Sequence, residues 1–597
     1  DSDLLTYPGI VNATTALSGK ELAFSLNFPK KSVVGLPVLE CAEFGRNVVT
    51  YDNNVGSSDG IHLGNIFHMN HEEPIEVSLS ANSLTSHAFI TGSTGSGKSN
   101  TIYQILNQAD KNDIKYLVVE PAKGEYKAAF GNHPDVNVYG TNPKISEMLK
   151  INPFSFDSSI HVLEHVDRLV EIFNVCWPMY AAMPAVLKDA VIKSYEDCGW
   201  NLRNSTNKYN EKFYPSFADV ARNVKTIIET SEYDTENKGA YKGSLLTRLQ
   251  SLTNGLNGLI FSKESVPDKK LFDEKTIVDL SRVGSSETKS LIMGLLVLKL
   301  QEYRVSSDIP ANSTLRHITV LEEAHNILKR TSSEQSSETA NLRGKSVEMI
   351  SNAIAEMRTY GEGFIIADQA PGLLDMAAIR NTNTKIIMRL PDQMDRELVG
   401  YAANLNEDQI KELAKLPCGV AAIYQNEWVQ PILCKIERAA TDNARYVYEQ
   451  EESNSTIDDI TDKIEIAELL SNGASIDSTL KDDLYAKIES LNVDDSIKVS
   501  ILNRLDNPSE EPRMTRLAPI YNALFPEITD AVQLSFNETH DPSEWTNSAE
   551  YVIRDLETND ITETLRRDMI QCAVTYYLMN IVGKIEELER WNKLGEL

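Results

Sequence analysis

At 597 residues the chain is too long for one compact core and predicts three or four modules. Its 41% hydrophobic and 24% charged residues are those of an ordinary globular protein, which excludes a fibrous or wholly disordered chain. The net charge of −29 argues against a surface given over to phosphate, but its distribution is uneven: from Thr441 onward 33 acidic residues face 14 basic ones.

Residues 1 to 85 alternate apolar and polar side chains, as in Glu21-Leu22-Ala23-Phe24-Ser25-Leu26, with Gly and Asn turns between, and predict a small β-rich module. Ser86 to Thr91 is a short apolar strand feeding a glycine-rich loop, Asn100 to Gln108 has helical character, and Tyr116 to Glu120 is a second buried strand. Residues 156–264 change to helical spacing: Ile160, Leu163, Val166, Leu169, Val170 and Phe173 recur at three- and four-residue steps. Similar stripes in Ala185 to Tyr195 and Leu245 to Ile260 complete an inserted helical domain. Strands resume at Thr276 to Leu280, His317 to Leu321, Phe364 to Ala367, Lys385 to Arg389 and Gly419 to Tyr424, with a mostly buried helix at Lys289 to Tyr303. Strands alternating with helices predict an α/β core, residues 86–155 and 265–438, built on a parallel sheet. Residues 439–597 predict an acidic helical region that includes a long apolar stripe from Ile561 to Leu594; Thr331 to Thr339 and Asn507 to Arg513 read as connectors.

The longest clean apolar run, Leu291 to Leu298, is too short for a bilayer, and no charged-then-apolar leader is visible. The chain opens at Asp1 without a methionine, so a trimmed front end is expected. Six cysteines (Cys41, Cys176, Cys198, Cys418, Cys434, Cys572) show no CxxC spacing, which excludes an ordinary zinc ribbon and suits reduced thiols in a cytoplasmic protein.

The strongest motif is Gly92-Ser93-Thr94-Gly95-Ser96-Gly97-Lys98-Ser99, a full GxxxxGK[ST] between strand and helix, with Asn100 opening the helix behind it. Its glycines let backbone N–H groups turn toward phosphate oxygens. Lys98 reaches the β- and γ-phosphates and Ser99 holds Mg²⁺, so ATP and Mg²⁺ are the expected ligands. Downstream, the apolar strand His317 to Leu321 runs into Glu322 and Glu323: the first acid takes the metal side, the second activates the attacking water. Gln369, at the tip of the Phe364–Ala367 strand, suits a γ-phosphate sensor. Arg343, Arg358, Arg380 and Arg389 are candidates for an arginine supplied across a subunit boundary, with Arg358 preferred and Arg389 next.

These elements, in this order, resemble the HerA/FtsK superfamily of ring ATPases from about Gly35 to Arg438. The most specific stretches are ITGSTGSGKSN, VVEPAKGEY, VLEEAHN, EMRTYGEGFIIADQAPGLLD and RNTNTKIIMRLPDQMDRE. Glu120, Pro121, Gly124, Glu125 and Tyr126 match an acidic-Pro-x-x-Gly-Glu-Tyr motif, with Glu where Asp is commoner, and Glu322 likewise stands where relatives often have Asp. The resemblance implies a RecA-like core, a barrel-like N-terminal module, and a homohexamer with ATP sites between subunits and double-stranded DNA in its channel. It also implies a nuclease partner (NurA for archaeal HerA) or a sirtuin-like effector, as in anti-phage defence. A ring around DNA needs positive charge only on its channel loops, for which Lys329 and Arg330 are candidates. The expected activity is ATP-driven DNA translocation; the alternative is a nucleotide-gated ring that assembles an effector without moving DNA.

Overall fold

The structure, a computed structural model, describes residues 18–20, 32, 34, 38, 41–51, 60–330, 337–442, 444–448, 460–472, 481–507, 514–539, 541–556 and 561–595. The expected strand around Glu21–Leu26, most of the connector at 331–339 and residues 508–513 of the second connector lie outside the described residues.

The strands in chain order are β1 (Gly60–His68), β2 (His71–Ser80), β3 (Ala88–Thr91), β4 (Lys115–Glu120), β5 (Val136–Gly140), β6 (Glu147–Met148), β7 (Trp200–Asn201), β8 (Thr206–Asn207), β9 (Lys275–Asp279), β10 (His317–Glu322), β11 (Glu362–Asp368), β12 (Thr384–Ile387), β13 (Val420–Gln425) and β14 (Ile432–Ile436). All but the β7–β8 hairpin join one sheet, in the order β2-β1-β14-β13-β12-β3-β11-β10-β4-β9-β5-β6. From β12 to β6 every neighbouring pair is parallel; from β12 back through β13, β14, β1 and β2 every pair is antiparallel. The described part of the region expected as an N-terminal module is thus an antiparallel hairpin that extends the main sheet through β14. Sequence reading also passed over β5 and β14, which pair at interior positions of that sheet.

Period-two alternation assigns the two faces of the parallel strands. Ile318 and Val320 of β10 join a core with Ile102, Ile105 and Leu106 of the helix Lys98–Lys111. Leu321 points the other way, into a larger core with the helices Val162–Cys176, Met183–Asp197 and Ser286–Ser306. The last of these helices is buried on nearly all sides between Leu291 and Leu300, which explains its lack of an amphipathic stripe. At the edge where the parallel strands begin, Glu362 is fully buried and accepts from Arg304 Nε (3.0 Å), His317 Nδ1 (2.8 Å) and Thr319 Oγ1 (2.7 Å). Burial alone would raise its pKa, but His317 and Arg304 outweigh burial and hold it below the usual range.

The helices after residue 460 pack around a third core that includes Phe213 and the fully buried Trp545. This region is fastened to the inserted helices. Asp495 accepts from the Tyr214 amide (3.0 Å) and pairs with Lys263, while Ser496 Oγ donates to Asp219 Oδ1 (2.6 Å). No helix among the described residues is long and apolar enough to cross a membrane.

Candidate nucleotide site

The parallel strands end at one edge of the sheet, and the sequence motifs converge there. β3 delivers the glycine-rich loop, β11 delivers Gln369 and β10 delivers Glu322 and Glu323. In the sheet order β11 lies between β3 and β10. Gln369 therefore emerges between the loop and the acidic pair.

The loop is shaped as a cradle. Gly95 and Gly97 have φ of 73° and 110°, a region that side chains disfavour. A Cβ on Gly92 would come within 2.5 Å of Ser96 Oγ and 2.7 Å of Met388 Cβ, so backbone passes where no other residue fits. Gly97 caps the helix Lys98–Lys111 with no side-chain cap, which leaves that N-terminus free to donate to an anion. The loop is held from behind: Ser93 N donates to the Arg389 carbonyl (2.9 Å) and Gly419 N to the Ser96 carbonyl (2.8 Å).

Lys98 Nζ and Ser96 Oγ are buried without a hydrogen-bond partner. Such groups are expensive to leave unpaired, and a triphosphate would satisfy both. Lys98 Nζ forms an ion pair with Glu323 Oε1 at 3.6 Å, with the two side chains 7% and 15% exposed. Gln369 links the acid to the loop: its Nε2 donates to Glu323 Oε1 (2.6 Å) and its Oε1 accepts from Thr94 Oγ1 (2.8 Å). Lys98, Glu323, Gln369 and Thr94 thus form one connected group. Glu323 itself sits in the left-handed region, φ 47° and ψ 51°.

Glu322 and Glu120 stand on adjacent strand tips on the face of the helix Lys98–Lys111. Glu322 Oε1 accepts from Tyr126 OH (2.7 Å). Glu120 accepts from the amides of Glu125 (2.8 Å) and Tyr126 (3.2 Å), so its carboxyl organises the Gly-Glu-Tyr turn. Burial is the main cause that pushes Glu120 up to about 8, against those two amide bonds and with help from Glu322. Ser99, half-buried in the first turn of the helix, completes the set expected around a metal.

Other sites are less direct. Asn100 is occupied by backbone: it donates to the Glu437 carbonyl (2.9 Å) and accepts from Ala439 N (3.0 Å), pinning the chain that leaves β14 to the helix. Beside it opens a cavity of ≈ 710 Å³, lined by Gly97, Asn100, Gly419, Lys435 and Arg438, within the roughly 300–1,000 Å³ usual for small-molecule sites. Arg389 lies against the loop of its own chain. Arg358 is exposed in the turn Met357–Tyr360 that precedes β11, at the opposite edge of the sheet from Gln369 and away from the loop of its own chain.

Sequence reasoning gave no role to His325 and Asp368. Asp368, fully buried, accepts from His325 N (2.9 Å) and Ala370 N (2.9 Å), and lies 2.8 Å from His325 Nδ1. That bond, and the Asp368 charge, raise the His325 pKa against burial. Glu323, His325 and Asp368 bring ligand-type atoms within 4.8 Å of one another. The His325 nitrogen and the Asp368 carboxylate already satisfy each other at 2.8 Å, while Glu323 Oε2 stands 3.6 Å from the same nitrogen. Their only signal in sequence was adjacency to the two motif residues.

Residues 61–300 match the family model described as "Helicase HerA, central domain". The chain is 23% identical over 368 residues to the DNA double-strand break repair helicase HerA of Sulfurisphaera tokodaii, covering 61% of this chain and 67% of that protein. It is 25% identical over 378 residues to the probable helicase MJECL08 of Methanocaldococcus jannaschii, covering 61% and 68%. Among solved structures, VirB4 of Thermoanaerobacter pseudethanolicus aligns with a TM-score of 0.49 at 18% identity, over 64% of this chain and 98% of that one. The phosphate cradle and the acid beside its lysine are those of a P-loop ATPase, and residues 61–300, which hold that cradle, are similar to the HerA central domain.

Proposed function

We propose that the chain is one subunit of a hexameric ring that couples ATP hydrolysis to translocation of double-stranded DNA. The observation that carries this reading is the connected group Lys98–Glu323–Gln369–Thr94 at the mouth of an uncapped helix. In it, the backbone of Gly92 to Ser99 receives the phosphates, with Lys98 on the β- and γ-phosphates. Glu323 orients the attacking water and takes its proton, and Gln369 registers the γ-phosphate from the neighbouring strand tip. Ser99 and Glu322 are the residues to hold Mg²⁺, which neutralises phosphate charge when bound. The cavity lined by Asn100, Lys435 and Arg438 suits the rest of the nucleotide. Arg358, far from its own loop, is the residue a neighbouring protomer would offer, ahead of Arg389.

The names of the relatives, DNA double-strand break repair helicases, support DNA as the substrate. A nuclease or sirtuin-like effector and a role in anti-phage defence follow from the same family reading, while a cytoplasmic location rests on the unpaired cysteines and the module boundaries at residues 85, 155, 264 and 438 on the change from strand to helical spacing along the chain. The test is ATP turnover with and without duplex DNA, together with triplex displacement and sizing in nucleotide. Stimulation by duplex and displacement that both vanish in Glu323→Gln support the motor. A ring that switches an effector with no DNA stimulation, and equally well as Glu323→Gln, replaces it with the scaffold reading.

A further inference from the structure

Glu323 holds a backbone conformation that costs a non-glycine residue about 1 kcal/mol, so the surroundings must impose it. Two sets of bonds do so. Asn326 returns to the Glu323 carbonyl through its amide N–H (3.0 Å) and its side chain (2.7 Å). One residue earlier, His325 is tied to Asp368 through both backbone and ring, at 2.9 and 2.8 Å.

Asp368 does more than anchor one turn. Its second oxygen accepts from Ala370 N, within the turn that carries Gln369. A single buried carboxylate therefore joins the turn after β10 to the turn after β11, and Gln369 closes the circuit by donating to Glu323. His325 Nδ1 also lies 3.6 Å from Glu323 Oε2, the oxygen opposite the one that faces Lys98.

We infer that Asp368 and His325 are a positioning pair: they lock the two strand-tip turns together, with the imidazole set beside the far oxygen of Glu323, so that the carboxylate keeps its place when Lys98 turns to phosphate. The inference rests on Glu323 being the base. A displacement of that carboxylate by about 1 Å is enough to cost about 100-fold in rate. Nucleotide binding, which depends on the loop and Lys98, has no such dependence on the pair.

The experiment uses the full chain with His325→Ala, His325→Asn and Asp368→Asn, reading kcat and KM for ATP and the affinity for a non-hydrolysed analogue. Asn carries an N–H donor where His has Nδ1, so it can restore the bond to Asp368. Expected are a kcat loss of about 10- to 100-fold in His325→Ala with analogue affinity within about threefold, substantial recovery in His325→Asn, and no further loss when His325→Ala is added to Glu323→Gln. An unchanged kcat in His325→Ala overturns the inference. So does a parallel fall of kcat and affinity, or an Asn variant as poor as Ala. If the unaltered protein splits no ATP, the ATPase reading fails instead, before the variants are compared.

Discussion

Lys98 pairs with Glu323, and the same ammonium is the one that bound ATP would call to its phosphates. Replacing Glu323 with Gln keeps the shape and removes the competing charge. At the observed 3.6 Å separation, the gross attraction is about 5 kcal/mol at an effective dielectric of about 20 and about 1 kcal/mol in water. Part of it is offset by desolvation, and Gln369 already shares the same oxygen, 2.6 Å from its Nε2. A net release of about 1–2 kcal/mol is the outcome, or roughly 5- to 30-fold tighter nucleotide binding. Removal of a negative charge from beside the γ-phosphate acts in the same direction. The assay is equilibrium titration with a fluorescent, non-hydrolysed ATP analogue, with Lys98→Ala as the control that loses binding. Affinity in Glu323→Gln equal to or weaker than in the unaltered protein refutes the reasoning, because it would mean that the lysine is not restrained by the acid.

Three further outcomes follow from other parts of the sheet. His87 is pushed down to about 4, chiefly by burial, so it is neutral in the fold while the unfolded chain binds a proton below about 6.5. Stability is therefore full above that value and falls as pH drops toward 4, by up to about 3 kcal/mol; His87→Asn, which can accept from Phe364 N and tolerate the φ of 65°, should show a shallower fall of Tm with acid. Glu362→Ala leaves Arg304, only 4% exposed, with Asp273 as its one remaining carboxylate and takes the acceptor from His317 and Thr319, and should cost about 3 kcal/mol in chemical denaturation, where a loss under about 1 kcal/mol contradicts the buried network. Gly92→Ala forces a Cβ against Ser96 and Met388 at 2.5 and 2.7 Å, and should weaken nucleotide binding by tenfold or more (about 1.4 kcal/mol) while circular dichroism stays unchanged.

Local chemistry made much of this readable. The P-loop is a strand, a glycine run and a helix in direct succession, so spacing alone places Gly92 to Ser99, and an apolar run ending in acids places Glu322 and Glu323. What escaped depends on register between distant segments. Asp368 meets His325 across 43 residues because β10 and β11 run parallel. β14 lies just before the point where the chain turns acidic, and its Ile432–Ile436 run shows its pairing only against β13 and β1. Asn100 follows Ser99 in the nucleotide motif, and its side-chain amide also ties down residues 437 and 439, a link that no local pattern predicts. The edge on which Arg358 lies likewise follows from strand direction.

The acidic C-terminal region is joined to the chemistry by a traceable set of contacts. It docks on the inserted helices through Asp495 with Tyr214 and Lys263, Ser496 with Asp219, and Asp506 with Tyr209. Those inserted helices share one core with the long helix Ser286–Ser306. The long helix in turn touches both turns that shape the site: Lys289 Nζ donates to the Pro121 carbonyl (2.6 Å), before the Gly-Glu-Tyr turn, and Ser290 Oγ donates to the Asn326 carbonyl (2.8 Å). Asn326 is the residue that fixes Glu323 from behind. A close-packed core has low compressibility and transmits strain, and a buried helix of 21 residues can carry it as a rigid element. A shift of the tail that carried this helix would reach Asn326 and, through it, the turn that holds Glu323.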